Sequence, residues 1–213
     1  MNIQYQQQNF CSRNRVIRKA DDIVRAVNEE YPRVSKSIVE GFHKSPQLEG
    51  VKDNLAYKTL RLRAAVSNGR FFALTPEDMV KILPNMVKRF KIGNCFESAE
   101  LCAIGAKTNG INDFRIGTVL SSESGDLDHA IVLVNDKKPY IMDAWLGFAD
   151  YVPNAIERYK KEFHMHFDTS NTTTEKLRII TKPSKSYEEA MLERIPETKL
   201  KQYFPNLVID KKM

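Results

Sequence analysis

Apolar and polar positions divide the chain into two halves with different periods. From Arg15 to Glu30 the apolar residues Val16, Ala20, Ile23, Val24 and Val27 form one stripe, the recurrence expected of an amphipathic helix. Tyr31-Pro32 should end it, because proline disfavours helical geometry in the residue before it. Val34, Ile38, Val39 and Phe42 predict a shorter helix, and Val51 to Ser67 a third that stops at Asn68-Gly69, a good C-terminal signal. Thr75-Pro76-Glu77-Asp78 offers an N-cap, a proline at the first position and acids in the first turn, so another helix starts there. Pro84 is expected to break or kink that helix.

Beyond this point the pattern changes. Cys95 to Thr108 reads as one strongly apolar helix. Phe114 to Leu120 alternates with period two, His129 to Val134 is continuously apolar, and Tyr140 to Ala144 is short and apolar; all three read as strands. Glu175 to Thr181 adds a candidate strand, and Ser121 to Asp128, with Gly125, is a candidate hairpin connection. Ser186 and Glu189 have capping-box spacing and open a last helical stretch, which Pro196 interrupts. Helices followed by a largely antiparallel sheet give an α+β class. The chain divides into a mostly helical region over 1–90, a core over 91–185, and a C-terminal helix and tail over 186–213.

Composition narrows the options. The 213 residues are 42% hydrophobic, enough for a sizeable core. No window approaches 18 consecutive apolar residues, so no membrane span is expected. Met1 to Phe10 is rich in Asn and Gln and lacks the layout of a secretory signal. Three cysteines, Cys11, Cys95 and Cys102, are too few and too odd in number for a disulfide framework, which points to a reducing, cytoplasmic setting. The net charge of +6 is spread through helices beside acidic residues. No basic run interleaves with aromatics, so a solvated surface is a better reading than nucleic-acid binding.

The chemistry concentrates in Gly93-Asn94-Cys95-Phe96-Glu97-Ser98-Ala99. Asn94 and Glu97 have capping-box spacing, which places Cys95 at the first helical position. The helix dipole and unpaired backbone N–H groups there favour an anion, and hence a thiolate. Ala99, Cys102 and Ala106 share the face of Cys95, small and apolar as a buried helix requires. Cys102 therefore reads as core, and Cys11, in a polar segment, receives no role.

A thiolate nucleophile needs a base, and the base an orienting group. His129 opens an apolar strand and Asp143 closes the next. With a tight turn near Asp136-Lys137-Lys138, antiparallel pairing sets His129 across from Asp143. Asp128 is the competing orienter, but as the neighbour of His129 in a strand it points to the other face. Trp145 either walls the cleft or fills core beneath it. His164 and His166 share a face if that segment is extended, yet without a nearby cysteine or acidic triplet they make a poor metal site. Cys95 and Cys102 lie roughly 10 Å apart by helical rise, too far to share a tetrahedral ion. Neither metal nor cofactor is expected.

Taken together, Gly-Asn-Cys-x-Glu-x-Ala opening a helix, Gly110-Ile111 after it, Asp-His-Ala opening one strand and Met-Asp-Ala-Trp closing another resemble the transglutaminase-like core of bacterial proteins, over Ile92 to Gly147. The resemblance implies a papain-like fold with Cys95 as nucleophile, His129 as general base and acid, and Asp143 as orienter. Phe96 departs from the tryptophan common after the cysteine in this superfamily. Val87 to Asn94 lacks the glutamine that papain-type enzymes place in the oxyanion hole, which leaves the Cys95 N–H and the Asn94 amide as candidate donors. Members include proteases, deamidases and protein cross-linkers, so a protein substrate is implied. Several are effectors delivered into host cells, which makes a host protein and a specialised secretion route the corresponding expectation. The alternative is a catalytically silent protein-binding module that keeps the fold.

Overall fold

The structure, a computed structural model, describes residues 3–31, 64, 75–121, 128–166, 177–181 and 185–209. The helices expected over Val34 to Phe42 and Val51 to Ser67 lie outside the described residues, Ala64 apart, as does most of the Ser121–Asp128 connection. The elements in order are α1 (Ile3–Glu30), α2 (Pro76–Phe90), α3 (Cys95–Thr108), β1 (Phe114–Ser121), β2 (Asp128–Val134), β3 (Tyr140–Asp143), β4 (Phe148–Tyr151), α4 (Val152–His166), β5 (Leu177–Thr181), α5 (Tyr187–Glu193) and α6 (Glu197–Tyr203), with a short 3-10 turn at Pro205–Leu207. The class is α+β.

The strands form one antiparallel sheet in the order β4-β3-β2-β1-β5. Alternation of side chains along each strand gives the sheet two faces. Ile116, Ala130, Val132, Val134, Tyr140 and Met142 join the larger core with α1, α2, α3, α5 and α6. Val119, Ile131, Ile141 and Phe148 pack on Ala155 and Tyr159 of α4 in a smaller cluster. Helix α3 is buried almost all round, including Leu101, Cys102, Ala103 and Ala106, which is why its sequence is apolar on every side rather than striped.

Several local signals act as expected. Thr75 caps α2, its side chain accepting from the Asp78 N–H at 3.2 Å. Asn94 and Glu97 form a capping box on α3, and Ser186 and Glu189 one on α5. Helix α1 ends at Glu30, before Pro32.

Two expectations need correction. Pro84 does not break α2, which continues to Phe90. Proline removes one intrahelical hydrogen bond, but Met79, Val80, Leu83, Pro84 and Val87 are all buried, and packing of that face outweighs the loss. Helix α1 begins at Ile3 and so includes most of the polar opening residues. The segment holding His164 and His166 belongs to α4 and is helical, not extended. The register of β2 on β3 pairs Val132 with Met142 and Val134 with Tyr140, offset by two residues from direct His129–Asp143 pairing. An offset of two preserves the face on which each side chain lies, whereas an offset of one would have reversed it.

Candidate active site

Asp143 is held by the turn that follows it. Asp143 pairs with Phe148 across the β3–β4 hairpin, and its carbonyl accepts from the Gly147 N–H at 2.8 Å. Gly147 has φ of 77°, left-handed geometry that suits glycine. The Asp143 side chain folds over the same turn, Oδ1 accepting from the Trp145 and Leu146 N–H groups at 3.0 and 2.9 Å. That leaves Oδ2 to face β2. His129 Nε2 lies 2.6 Å from it, and the Tyr159 hydroxyl of α4 donates to the same oxygen at 2.9 Å. Asp143 and His129 are 1% and 3% exposed. Every lone pair of this buried carboxylate that the turn and the two side chains can reach is used, as burial of a charge demands.

Cys95 approaches from the other layer. Its position at the tip of α3 follows from the capping box, in which Asn94 N–H donates to Glu97 Oε2 at 2.9 Å. The thiol is half-buried, unlike the fully buried Cys102 of the same helix. His129 forms a side-chain hydrogen bond with Cys95. Since Nε2 is directed at Asp143, Nδ1 is the nitrogen available to the sulfur.

The electrostatics follow from these contacts. Burial opposes charge on His129, but the Asp143 carboxylate, by its charge and its hydrogen bond, together with Cys95, outweighs it and pushes the imidazole up to about 10. His129 is therefore protonated at neutral pH. Tyr159 is moved well above the ordinary tyrosine range, first by burial and then by the adjacent Asp143 charge, so its hydroxyl stays a donor.

No family model, curated protein or solved structure matches the chain. The chemistry of the site rests on its own geometry.

The structure thus brings together Cys95, His129 and Asp143, which the sequence singled out. Trp145 is half-buried with its ring 5.2 Å from the His129 ring at 55°. Of the two candidate oxyanion donors, the Cys95 N–H is engaged, donating to Asn94 Oδ1 at 2.9 Å, a bond that leaves the Asn94 amide nitrogen as the donor on that side chain. Among the described residues no three His, Cys, Asp or Glu side chains converge as ligands for a metal ion. Among the same residues no helix is long and apolar enough to cross a membrane.

Tyr159 was not anticipated. The signal for it is present in the spacing of Val152, Ala155, Ile156 and Tyr159, an apolar recurrence of helical period that begins beside Pro153, where proline suits a first turn.

Proposed function

We propose that this protein is a cysteine-dependent amide hydrolase or acyltransferase with a papain-like, transglutaminase-like core, acting on a protein substrate through Cys95, His129 and Asp143. One observation carries the reading: a buried imidazole hydrogen-bonded both to a carboxylate and to a half-buried thiol at a helix tip. Three separate elements supply those groups, and a merely structural histidine needs only one of the partners.

In this reading the Cys95 proton resides on His129, and Asp143 offsets the resulting imidazolium charge. The Cys95 sulfur attacks a carboxamide or peptide carbonyl carbon, forming a C–S bond and a tetrahedral oxyanion. The Cys95 N–H and the Asn94 amide are the candidate donors for that oxygen, once substrate displaces the bond between Cys95 and Asn94. Collapse breaks the C–N bond, and His129 gives its proton to the departing ammonia or amine. A thioester remains. Water then adds to the thioester carbon, delivers a proton to His129, and the C–S bond breaks to release acid and restore Cys95. A lysine amine in place of water gives a cross-link. Water is always present and needs no second site, which favours hydrolysis.

The capped Cys95 N–H also supports a second reading, a protein-binding module on the same fold in which that donor stays engaged. Intact-mass analysis of candidate proteins, incubated with the wild type and with Cys95→Ala, separates these outcomes. A gain of about one dalton per site signals deamidation, fragments signal proteolysis, and adducts signal cross-linking. Identical spectra from the two proteins contradict the enzyme and favour the binding module.

A further inference from the structure

We propose that Tyr159 is a positioning residue for the Asp143–His129 pair, its hydroxyl fixing the carboxylate in line with the imidazole and taking a share of the negative charge that His129 faces. The inference rests on the reading of Cys95 as a nucleophile but is carried by a separate set of contacts.

Asp143 Oδ2 receives two donors, His129 Nε2 at 2.6 Å and the Tyr159 hydroxyl at 2.9 Å. The turn after β3 restrains only Oδ1, through the Trp145 and Leu146 N–H groups. Rotation of the carboxylate out of the His129 line is therefore opposed at Oδ1 by the turn and at Oδ2 by Tyr159 from α4. Tyr159 can do this because it cannot move away. It is fully buried, its ring meets the His129 ring edge-on at 5.7 Å and 66°, and Phe148 lies against it at 5.5 Å. A hydroxyl at the end of so confined a ring has one address.

The charge effect has a definite sign. The positive end of the hydroxyl dipole points at Oδ2 and partly offsets the charge that stabilises the proton on His129. The ionisable groups acting on His129 are Asp143 from β3 and Cys95 from α3, and those acting on Tyr159 are Asp143, Arg158 from α4 and Cys102 from α3. None of them reproduces a neutral donor on Oδ2. Loss of the hydroxyl leaves the imidazolium facing a more exposed negative charge, so the proton is held more tightly while the carboxylate turns more freely.

The test is a pH titration of the His129 ring by NMR, run beside the pH dependence of Cys95 alkylation by iodoacetamide. The proteins are the wild type, Tyr159→Phe, and a protein with 3-fluorotyrosine at position 159. Tyr159→Phe should move the His129 titration up by about half a unit and slow Cys95 alkylation at neutral pH roughly three- to tenfold through the loosened carboxylate. Fluorotyrosine, a stronger donor, should move the titration down. Superimposable titrations and rate profiles in all three overturn the proposal and leave Tyr159 as packing. Should Tyr159→Phe fail to fold, the fluorotyrosine protein alone decides by the same criterion. If wild-type Cys95 alkylates no faster than Cys102, the nucleophile reading fails, while the ring titration still reports whether Tyr159 acts on the pair.

Discussion

On one face of the sheet, α3 and the helices around it bury a broad apolar core that includes Ile23, Val27, Leu101, Val132 and Met142. On the other, a smaller cluster around Ala155 and Tyr159 closes over His129 and Asp143. The large face is stabilised mainly by area removed from water, a non-directional force. The small face holds a buried ion pair, whose desolvation is offset only when each hydrogen bond is in place. Cys95 belongs by chain to the first layer and by chemistry to the second. The site therefore depends on the face with fewer apolar contacts and more exacting geometry.

The largest expected effect breaks the small face directly. Asp143→Ala strands a buried imidazolium, the Tyr159 hydroxyl and two backbone N–H groups. It should lower unfolding free energy by about 3–5 kcal/mol in urea titrations. A loss under about 1 kcal/mol would mean the pair is not buried in solution.

Next comes the pH dependence of stability. His129 is near 10 in the folded state against an unfolded value of about 6.5. A raised folded value means a stabilising contribution that is complete below about pH 6.5 and fades as pH rises toward 10. Unfolding free energy should fall over that window, and His129→Gln should flatten the decline. An equal decline in both proteins assigns it to other groups.

A change on the large face should cost less. A Cβ at Gly105 would meet Ile23 Cγ2 at 3.0 Å and Val27 Cγ2 at 3.1 Å. Gly105→Ala should therefore destabilise by about 1–3 kcal/mol through overpacking of α1 on α3. Cys95 alkylation in the folded protein should change little, because Gly105 lies about 15 Å along α3 from Cys95 by helical rise. A slowed Cys95 would show that they are coupled.

The smallest effect is at the cap. Asn94→Ala should cost about 1 kcal/mol, measured by thermal unfolding, while freeing the Cys95 N–H.

These two faces were not equally legible in the sequence. Helix α3 announces itself by its capping box and apolar run, β1 by period two, and β2 and β3 by continuous apolar runs, and Ala99, Cys102 and Ala106 lie buried as their spacing implies. The proximity of His129 and Asp143 could be read despite a two-residue offset in register, because an even offset leaves both on one face. The small face was harder. Strand β4 is four residues long and sets Asp150 among Phe148, Ala149 and Tyr151, so neither alternation nor an apolar run declares it, and α4 follows it without an intervening turn. Tyr159 was lost with them. Pro84 misleads for the opposite reason: the local penalty is real, but burial of the α2 face exceeds it, and that burial is not a property of the local sequence. The first residues of α1 are polar and offer no stripe to count.

The most direct test of the account is the ratio of alkylation rates at Cys95 and Cys102 near neutral pH, followed by peptide mass spectrometry in wild type and His129→Ala. A sulfur hydrogen-bonded to a buried, protonated imidazole should react with iodoacetamide about 100-fold or more faster than Cys102, and His129→Ala should remove most of that advantage. Slow labelling of both cysteines, unchanged by His129→Ala, would contradict it.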